Sequence, residues 1–155
     1  KRAAPALAAP PNALDAAQRN AIRTLAMSLG TMGQILQELG KRECVNAYEE
    51  AADLLHRIGD KPAEAVAAFN LGHAYMDIPA LRDLAQAERW YRRSLELENP
   101  QDNKGRAGDL AQLGLVAYER FKEAREAKKP EAELLRHLND AVRFYFAMRK
   151  ADAQL

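Results

Sequence analysis

Side chains that could carry out chemistry are few in this sequence and lie far apart. The candidates for nucleophilic or metal-binding roles are one cysteine, Cys44, and three histidines, His56, His73 and His137. Cys44 and His56 are 12 positions apart, which on one helix is about 18 Å and too far for a shared metal ion. A lone cysteine on a helix is typical of packing, and it cannot form a disulfide within the chain. We expect no metal site and no cofactor.

The sequence motifs that accompany common enzyme chemistry are also missing. The sequence contains no Gly-rich phosphate loop, no Gly-x-Ser-x-Gly, no Cys-x-x-Cys and no His-Glu-x-x-His. Each of these motifs fixes a nucleophile, a base, a metal ligand or a phosphate group in a defined geometry. We therefore expect that this chain is not an enzyme.

The charged side chains are almost balanced, with 23 basic and 22 acidic residues and a formal net charge of +1. This balance gives no electrostatic reason to expect nucleic acid or an anionic membrane as a partner. One basic cluster stands out, Arg89, Arg92 and Arg93, and we predict that it is a solvated helix face balanced by glutamates of the same helix. No apolar run approaches the roughly 20 residues that a membrane span requires. With a single cysteine, we expect a cytoplasmic protein.

The first twelve residues differ in composition from the rest of the chain. Residues 1–7 begin like a signal peptide, but Pro5, Pro10 and Pro11 interrupt the segment and no long apolar stretch follows. Residues 1–12 are therefore predicted to be an Ala/Pro-rich linker, and residues 13–155 a helical domain. There is no initiator methionine, so we expect the chain to be an excerpt of a longer protein.

Turn-forming residues divide the rest of the chain into six segments, because Gly, Pro and Asn interrupt helices. The breaks fall at residues 39–41, 59–62, 78–79, 99–103 and 128–130. Within the segments, apolar residues recur at steps of three and four, which is the period of a helix. In the second segment these residues are Val45, Tyr48, Ala51, Ala52, Leu55 and Ile58.

Short breaks make neighbouring helices antiparallel, so six helices pair into three hairpins. The predicted hairpins cover about residues 13–58, 62–98 and 103–152. They also repeat: the dipeptide Leu-Gly occurs at 29–30, 71–72 and 113–114, with a constant spacing of 42 residues. We predict an all-α fold built from three similar hairpins.

The second hairpin resembles a known repeat family. Residues 68–75, Ala-Phe-Asn-Leu-Gly-His-Ala-Tyr, resemble the first-helix signature of a tetratricopeptide repeat, and residues 87–95 resemble its second helix. Residues 48–52 are similar to the same second-helix element, and residues 109–114 to the first-helix signature. The resemblance covers about residues 21–150. It implies a right-handed α-solenoid of three helix-turn-helix hairpins of the longer type, with roughly 40–42 residues per repeat.

The glycine of the first-helix signature allows two helices to cross closely, because a side chain there would push them apart. In the second hairpin this glycine is Gly72. In the first hairpin the regular spacing favours Gly30, whereas the family pattern favours Gly33, which lies seven residues before the turn glycine Gly40. We favour Gly33 and keep Gly30 open.

The resemblance implies a protein- or peptide-binding scaffold, in which the first helices line a concave groove that holds an extended or helical peptide. The alternative is a regulatory or spacer domain of a larger protein, whose groove binds another domain of the same chain. The groove residues that the family pattern implies are Met27, Gln34, Val66, Phe69, Asn70, His73, Met76, Asp77, Gly108, Gln112, Leu115, Tyr118 and Glu119.

Family members that bind chaperone tails hold a terminal carboxylate with lysine and arginine side chains. Here Asn70 matches the central asparagine of that site, but Gly108 and Gln112 occupy the basic positions. Without cations, a carboxylate has no charge-assisted hydrogen bonds to offset its desolvation. We do not expect this chain to bind chaperone tails.

The last segment carries three consecutive aromatic residues, Phe144, Tyr145 and Phe146. Around a helix they span about 200°, so the apolar surface is wide. A following repeat of a longer protein would cover such a surface, because solenoids end in polar caps. Weak homo-oligomer formation through this helix is the other expectation, with Phe144, Phe146 and Met148 as contacts.

Overall fold

A computed structural model of the chain describes residues 7–154, which form six α-helices and contain no β-strand. The helices are α1 (Ala16–Glu38), α2 (Cys44–Ile58), α3 (Lys61–Asp77), α4 (Leu84–Leu97), α5 (Asn103–Glu126) and α6 (Glu131–Asp152). The predicted all-α class and the five predicted breaks are therefore confirmed. Within residues 7–154, none of the helices has the combined length and apolar character needed to cross a membrane.

Aspartate side chains begin four of these helices. Asp15 accepts a hydrogen bond from the amide of Gln18, whose side chain accepts one from the amide of Asp15. Asp60, Asp83 and Asp102 accept hydrogen bonds from first-turn amides of α3, α4 and α5. Each cap satisfies amides that the helix itself leaves unpaired. Asp60 and Asp102 are 42 residues apart, so two repeats begin in the same way.

Contacts between opposite helix ends show that consecutive helices are antiparallel. Arg19, near the start of α1, donates to the carbonyl of Ile58 at the end of α2 at 3.1 Å. Arg93, near the end of α4, donates to the carboxylate of Glu64 at the start of α3 at 2.6 Å. Asn103, at the start of α5, donates to the carbonyl of Gln154, just after the end of α6, at 3.3 Å. Helices α1 and α2, α3 and α4, and α5 and α6 are thus antiparallel neighbours that pack against each other.

A glycine of the first helix faces a tyrosine of the second helix in the first two hairpins. A Cβ atom added at Gly33 would lie 2.6 Å from the ring of Tyr48, and one added at Gly72 would lie 2.5 Å from the ring of Tyr91. Such distances are shorter than van der Waals contact, so each pair of helices approaches closely only because the position is glycine.

The third hairpin has the same glycine–tyrosine junction in a looser form, and in the first hairpin only one of the two candidate glycines forms it. A Cβ atom added at Gly114 would lie 3.2 Å from the ring of Tyr145. At Gly30 an added Cβ atom would meet nothing within 4 Å. Gly33 is therefore the crossing glycine of the first hairpin, and the regular Leu-Gly spacing to Gly30 does not reflect the packing. Between crossing glycines the spacings are 39 and 42 residues.

Buried apolar residues connect each hairpin to the next. Tyr48 of α2 belongs to one core cluster with Leu71 and Ala74 of α3. Tyr91 of α4 belongs to another with Leu113 and Val116 of α5. The apolar stripe that the sequence predicts for α2 is confirmed, since all six of its residues are buried: Val45, Tyr48, Ala51, Ala52, Leu55 and Ile58.

Cys44 has the packing role that the sequence predicts. It is fully buried in the core cluster that joins α2 to α3. Burial raises the pKa of its thiol, because the thiolate would lose its hydration. The three histidines lie apart, with His56 beside Glu64, His73 beside Asp77 and His137 beside Glu133. Among residues 7–154, no group of three or more His, Cys, Asp or Glu side chains is arranged to hold a metal ion.

The predicted N-terminal linker lies partly outside the described residues, which begin at residue 7. The described part packs on the helices. The carbonyls of Leu7 and Ala9 accept hydrogen bonds from the guanidinium of Arg57 in α2. Leu14, which follows a short 3₁₀ turn, is buried in the core between α1 and α2. Residues 7–12 therefore lie against the first hairpin and do not extend away from it.

Candidate peptide-binding surface

The predicted groove residues lie mostly at the surface of α1, α3 and α5. Two cavities define this surface: one lies between α1 and α3, and the other between α3 and α5. We call it the first-helix surface. Exposed residues are Met27, Gln34, Val66, Asp77 and Tyr118, and partly buried ones are Phe69, Asn70, His73, Gly108, Gln112, Leu115 and Glu119.

Met76 is the exception, and its predicted role as a groove residue is wrong. Its side chain is only 8% exposed and packs in the core with Leu84, Tyr91 and Leu113. The residue is on the side of α3 that faces α4 and α5. A ligand on the first-helix surface therefore cannot contact it.

The cavity between α1 and α3 brings five predicted residues together. It has a volume of about 590 Å³. Amide, aromatic, imidazole and carboxylate groups all line it, which gives the cavity both hydrogen-bonding and apolar walls. The predicted residues among its walls are Gln34, Phe69, Asn70, His73 and Asp77.

An aromatic cluster holds His73 and Phe69 in place. The His73 ring lies 4.6 Å from the ring of Phe69 and 5.6 Å, edge-on, from that of Tyr91. Its Nδ1 atom is 3.5 Å from the carboxylate of Asp77. Its Nε2 atom is buried and has no hydrogen bond among the described residues. The ring is therefore oriented mainly by packing.

The cavity between α3 and α5 has a volume of about 370 Å³ and is lined partly by residues outside the predicted groove set. Val66 and Phe69 form apolar walls, and Gly105 and Gly108 leave space because they have no side chains. Phe69 also lines the other cavity, so its ring separates the two. The lining residues outside the predicted set that have polar side chains are Ser94, Glu98, Asp102, Lys104 and Asp109.

Asp109 is the most unusual of these residues. It is 1% exposed, and neither carboxylate oxygen has a hydrogen bond of good geometry among the described residues, but the Ser94 hydroxyl lies close enough to act on the carboxyl. Burial raises the pKa of Asp109 to about 7; the Ser94 hydroxyl and Arg106 lower it, and the nearby Glu98 raises it further. The sequence carried one signal for it: the 42-residue offset aligns Asp109 with Ala67, a small residue that is buried in the preceding repeat.

Glu98 is a second carboxylate at this cavity with a perturbed pKa. Burial and the neighbouring charge of Asp102 raise its pKa, and Arg106 lowers it. Its carboxylate lies against Gly105: a Cβ atom added to this glycine would be 2.7 Å from the carboxylate of Glu98. The glycine therefore gives Glu98 its place at the cavity.

The predicted groove residues of α5 have partners of their own. Glu119 pairs with Arg82 at 3.0 Å and with Lys122 at 2.7 Å, and both cations hold its pKa below the usual range. The ring of Tyr118 is stacked on Phe121. Leu115 packs against the core beneath it. Three of the predicted groove residues of α5, Leu115, Tyr118 and Glu119, are thus in contact with neighbours within the fold.

Two of the three arginines in the basic cluster of α4 pair with glutamates, whereas the guanidinium of Arg89 lies over the ring of Trp90 at 5.6 Å. Arg92 contacts Glu88 of the same helix at 2.7 Å. Arg93 is only weakly paired with a glutamate of α4; its close partner is Glu64 of α3, at 2.6 Å. Glu64 is 5% exposed. This pair was missed because its two residues are 29 positions apart.

The predicted contact residues of α6 do not form one surface. Phe144 packs against the core, and the guanidinium of Arg92 lies over its ring at 5.4 Å. Met148 is partly buried. Phe146 is 66% exposed on another side of the helix. The exposed apolar row of α6 consists of Leu135, Leu138, Val142 and Phe146.

Comparisons with known proteins do not identify a family for this chain. No family model, no curated protein and no solved structure matches it. The resemblance to tetratricopeptide repeats therefore rests on short sequence motifs.

Proposed function

We propose that this chain is a tetratricopeptide-like module, a right-handed solenoid of three hairpins, that binds an extended protein or peptide segment in a concave groove. The groove is the first-helix surface. The observation that carries the proposal is the pair of cavities on the first-helix surface, which are adjacent because Phe69 lines both. An extended peptide directs alternate side chains to the same side and could fill both.

The chemistry of the surface supports a peptide as the ligand. Gln34 and Asn70 carry amides that can donate to and accept from a peptide backbone. Val66 is 58% exposed and Phe69 is partly exposed, so apolar side chains of the ligand have surfaces to contact. This combination matches binding interfaces, where an apolar centre is surrounded by hydrogen-bonding groups.

The repeated helix junctions support the solenoid. Each hairpin pairs a first-helix glycine with a second-helix tyrosine: Gly33 with Tyr48, Gly72 with Tyr91 and Gly114 with Tyr145. Similar junctions in successive hairpins favour a regular stack, in which first helices share one side. In this proposal the module is a cytoplasmic scaffold without catalytic activity or a cofactor.

The alternative proposal is a regulatory or spacer domain whose groove binds another part of a longer chain. The same surface would then be occupied within the molecule. If the groove is occupied within a longer chain, that chain should not bind an added peptide, whereas the domain alone should bind it. Comparing the two therefore distinguishes binding within one chain from binding between molecules.

The experiment uses a partner isolated by pull-down with the excised domain. We expect Val66→Ser/Asn70→Ala to weaken binding at least tenfold, about 1.4 kcal/mol, because both side chains line the groove cavities without belonging to the core. The control is Asp53→Ala/Arg89→Ala, two exposed residues at a pocket between α2 and α4. Binding that is lost in the control and retained in the groove variant would place the site on the opposite surface.

A further inference from the structure

The first-helix surface carries an excess of acidic groups at its cavities. Within the described part of the chain, the carboxylates that line the two cavities belong to Glu38, Asp77, Glu98, Asp102 and Asp109. Lys104 is the one lysine among the lining residues, and no arginine is present there. The whole chain is nearly neutral, so this excess is local and favours a ligand of positive charge.

Asp109 differs from the other buried carboxylate of the fold. Glu64 is also buried, but its oxygens contact Arg93 at 2.6 Å and His56 at 3.2 Å. Asp109 is more deeply buried and forms no ion pair among residues 7–154; the side chain that acts on it by hydrogen bonding is the neutral hydroxyl of Ser94. A buried carboxylate without a cationic partner destabilises the fold, so its presence requires a reason. A partner that is supplied by a ligand is one such reason.

The cavity beside Asp109 has the shape and walls for a long basic side chain. Its volume of about 370 Å³ is larger than such a side chain needs. Val66 and Phe69 offer apolar contact to an aliphatic stem, and an added Cβ atom at Gly108 would meet nothing within 4 Å. Lysine and arginine bind in this way, with the stem on apolar surface and the cation on a carboxylate.

We infer that the groove binds a basic peptide segment, and that the cavity between α3 and α5 holds one of its lysine or arginine side chains at Glu98, next to the buried carboxylate of Asp109. This inference rests on the proposed function, since the groove must first bind a peptide. Val66 and Phe69 contact the aliphatic part of the bound side chain. Burial raises the pKa of both carboxylates. A bound cation would lower these pKa values again, because it stabilises the ionised form of each carboxylate.

The test is a selection from a phage-displayed library of random dodecapeptides on the immobilised wild-type domain. We expect the selected peptides to be enriched in lysine and arginine. Fluorescence polarisation then gives their affinity for Glu98→Gln/Asp109→Asn, which keeps side-chain size and removes two charges. We expect at least a tenfold loss. The matched control is Asp53→Asn, which removes one charge from the exposed face of α2 and should change affinity less than twofold.

The outcomes separate this inference from the proposed function. The selected peptides could instead be neutral or acidic, and bind Val66→Ser/Asn70→Ala less tightly but the carboxylate variant equally well. That result would overturn the inference of a basic ligand and retain the proposed groove. Peptides insensitive to both variants, or no enrichment at all, would overturn both. Circular dichroism confirms the fold of each variant. If the double variant does not fold, Glu98→Gln alone serves, with a threefold loss expected.

Discussion

At the scale of single residues, Gly72 faces the ring of Tyr91 so closely that no side chain fits between them. Tyr91 is fully buried between other rings, so it cannot move aside. We expect Gly72→Ala to lower the free energy of unfolding by about 1–3 kcal/mol through overpacking, although alanine favours helix. Gly30→Ala is the control: it faces open space and should raise stability by up to about 1 kcal/mol. Urea unfolding measures both, and equal effects would disprove the close crossing.

Asp109 should make the stability of the domain depend on pH. Its pKa is raised from an ordinary 3.8 to about 7 by burial, so between these values the folded state binds more protons than the unfolded state. Folding stability therefore decreases as pH rises from about 4 to 7, and is constant above. We expect Asp109→Asn to exceed the wild type by at least about 1 kcal/mol at pH 8. Near pH 4 the two should be similar, and an equal difference at both values would contradict the prediction.

At the scale of the helix, α4 depends on the cap that Asp83 provides. Its side chain accepts hydrogen bonds from the amides of Ala85 and Gln86 at 2.9 and 3.0 Å. We expect Asp83→Ala to reduce the free energy of unfolding by about 1–2 kcal/mol, because two amides of the first turn lose their partner. Asp53→Ala, in the exposed middle of α2, should change it by less than about 0.5 kcal/mol. Thermal unfolding of both variants measures the difference, and equal melting temperatures would refute the cap.

In α6 the spacing of apolar residues does not predict which side of the helix faces the core. Its sequence places three aromatic residues in a row, so any rotation of the helix buries one and exposes another. The structure packs Phe144 on the core and leaves Phe146 exposed. Packing against α5, with Tyr145 beside Gly114, fixes the rotation.

At the scale of the whole molecule, α6 is the last described helix, and nothing described covers its exposed apolar row. We predict weak self-association of this chain through this row at high concentration. Sedimentation velocity would compare the wild type with Leu138→Glu/Phe146→Glu, which leaves the packed Phe144 unchanged. We expect the wild type alone to associate. If both remain monomeric at the same concentration, the row does not bind a second copy.

Much of the fold followed from the sequence, because its signals are local. Glycine, proline and aspartate fix helix ends within a few residues, and the period of apolar residues identifies a helix and its buried side. The breaks and the buried stripe of α2 were therefore predictable. The choice between Gly30 and Gly33 was not settled by spacing; it depended on which of them meets Tyr48.

The candidate site was predictable only in part. The family pattern placed Phe69, Asn70 and His73 at one cavity, but it also included Met76, which the fourth and fifth helices bury. The 42-residue offset to Ala67 indicated that Asp109 is buried, but the sequence did not show that its carboxylate lacks a cationic partner. Helix type is decided by hydrogen bonds and side chains a few residues apart, so the sequence alone determined the six helices and their ends. Which side chains meet across helices depends on crossing geometry between distant segments, and only the tertiary structure decided that.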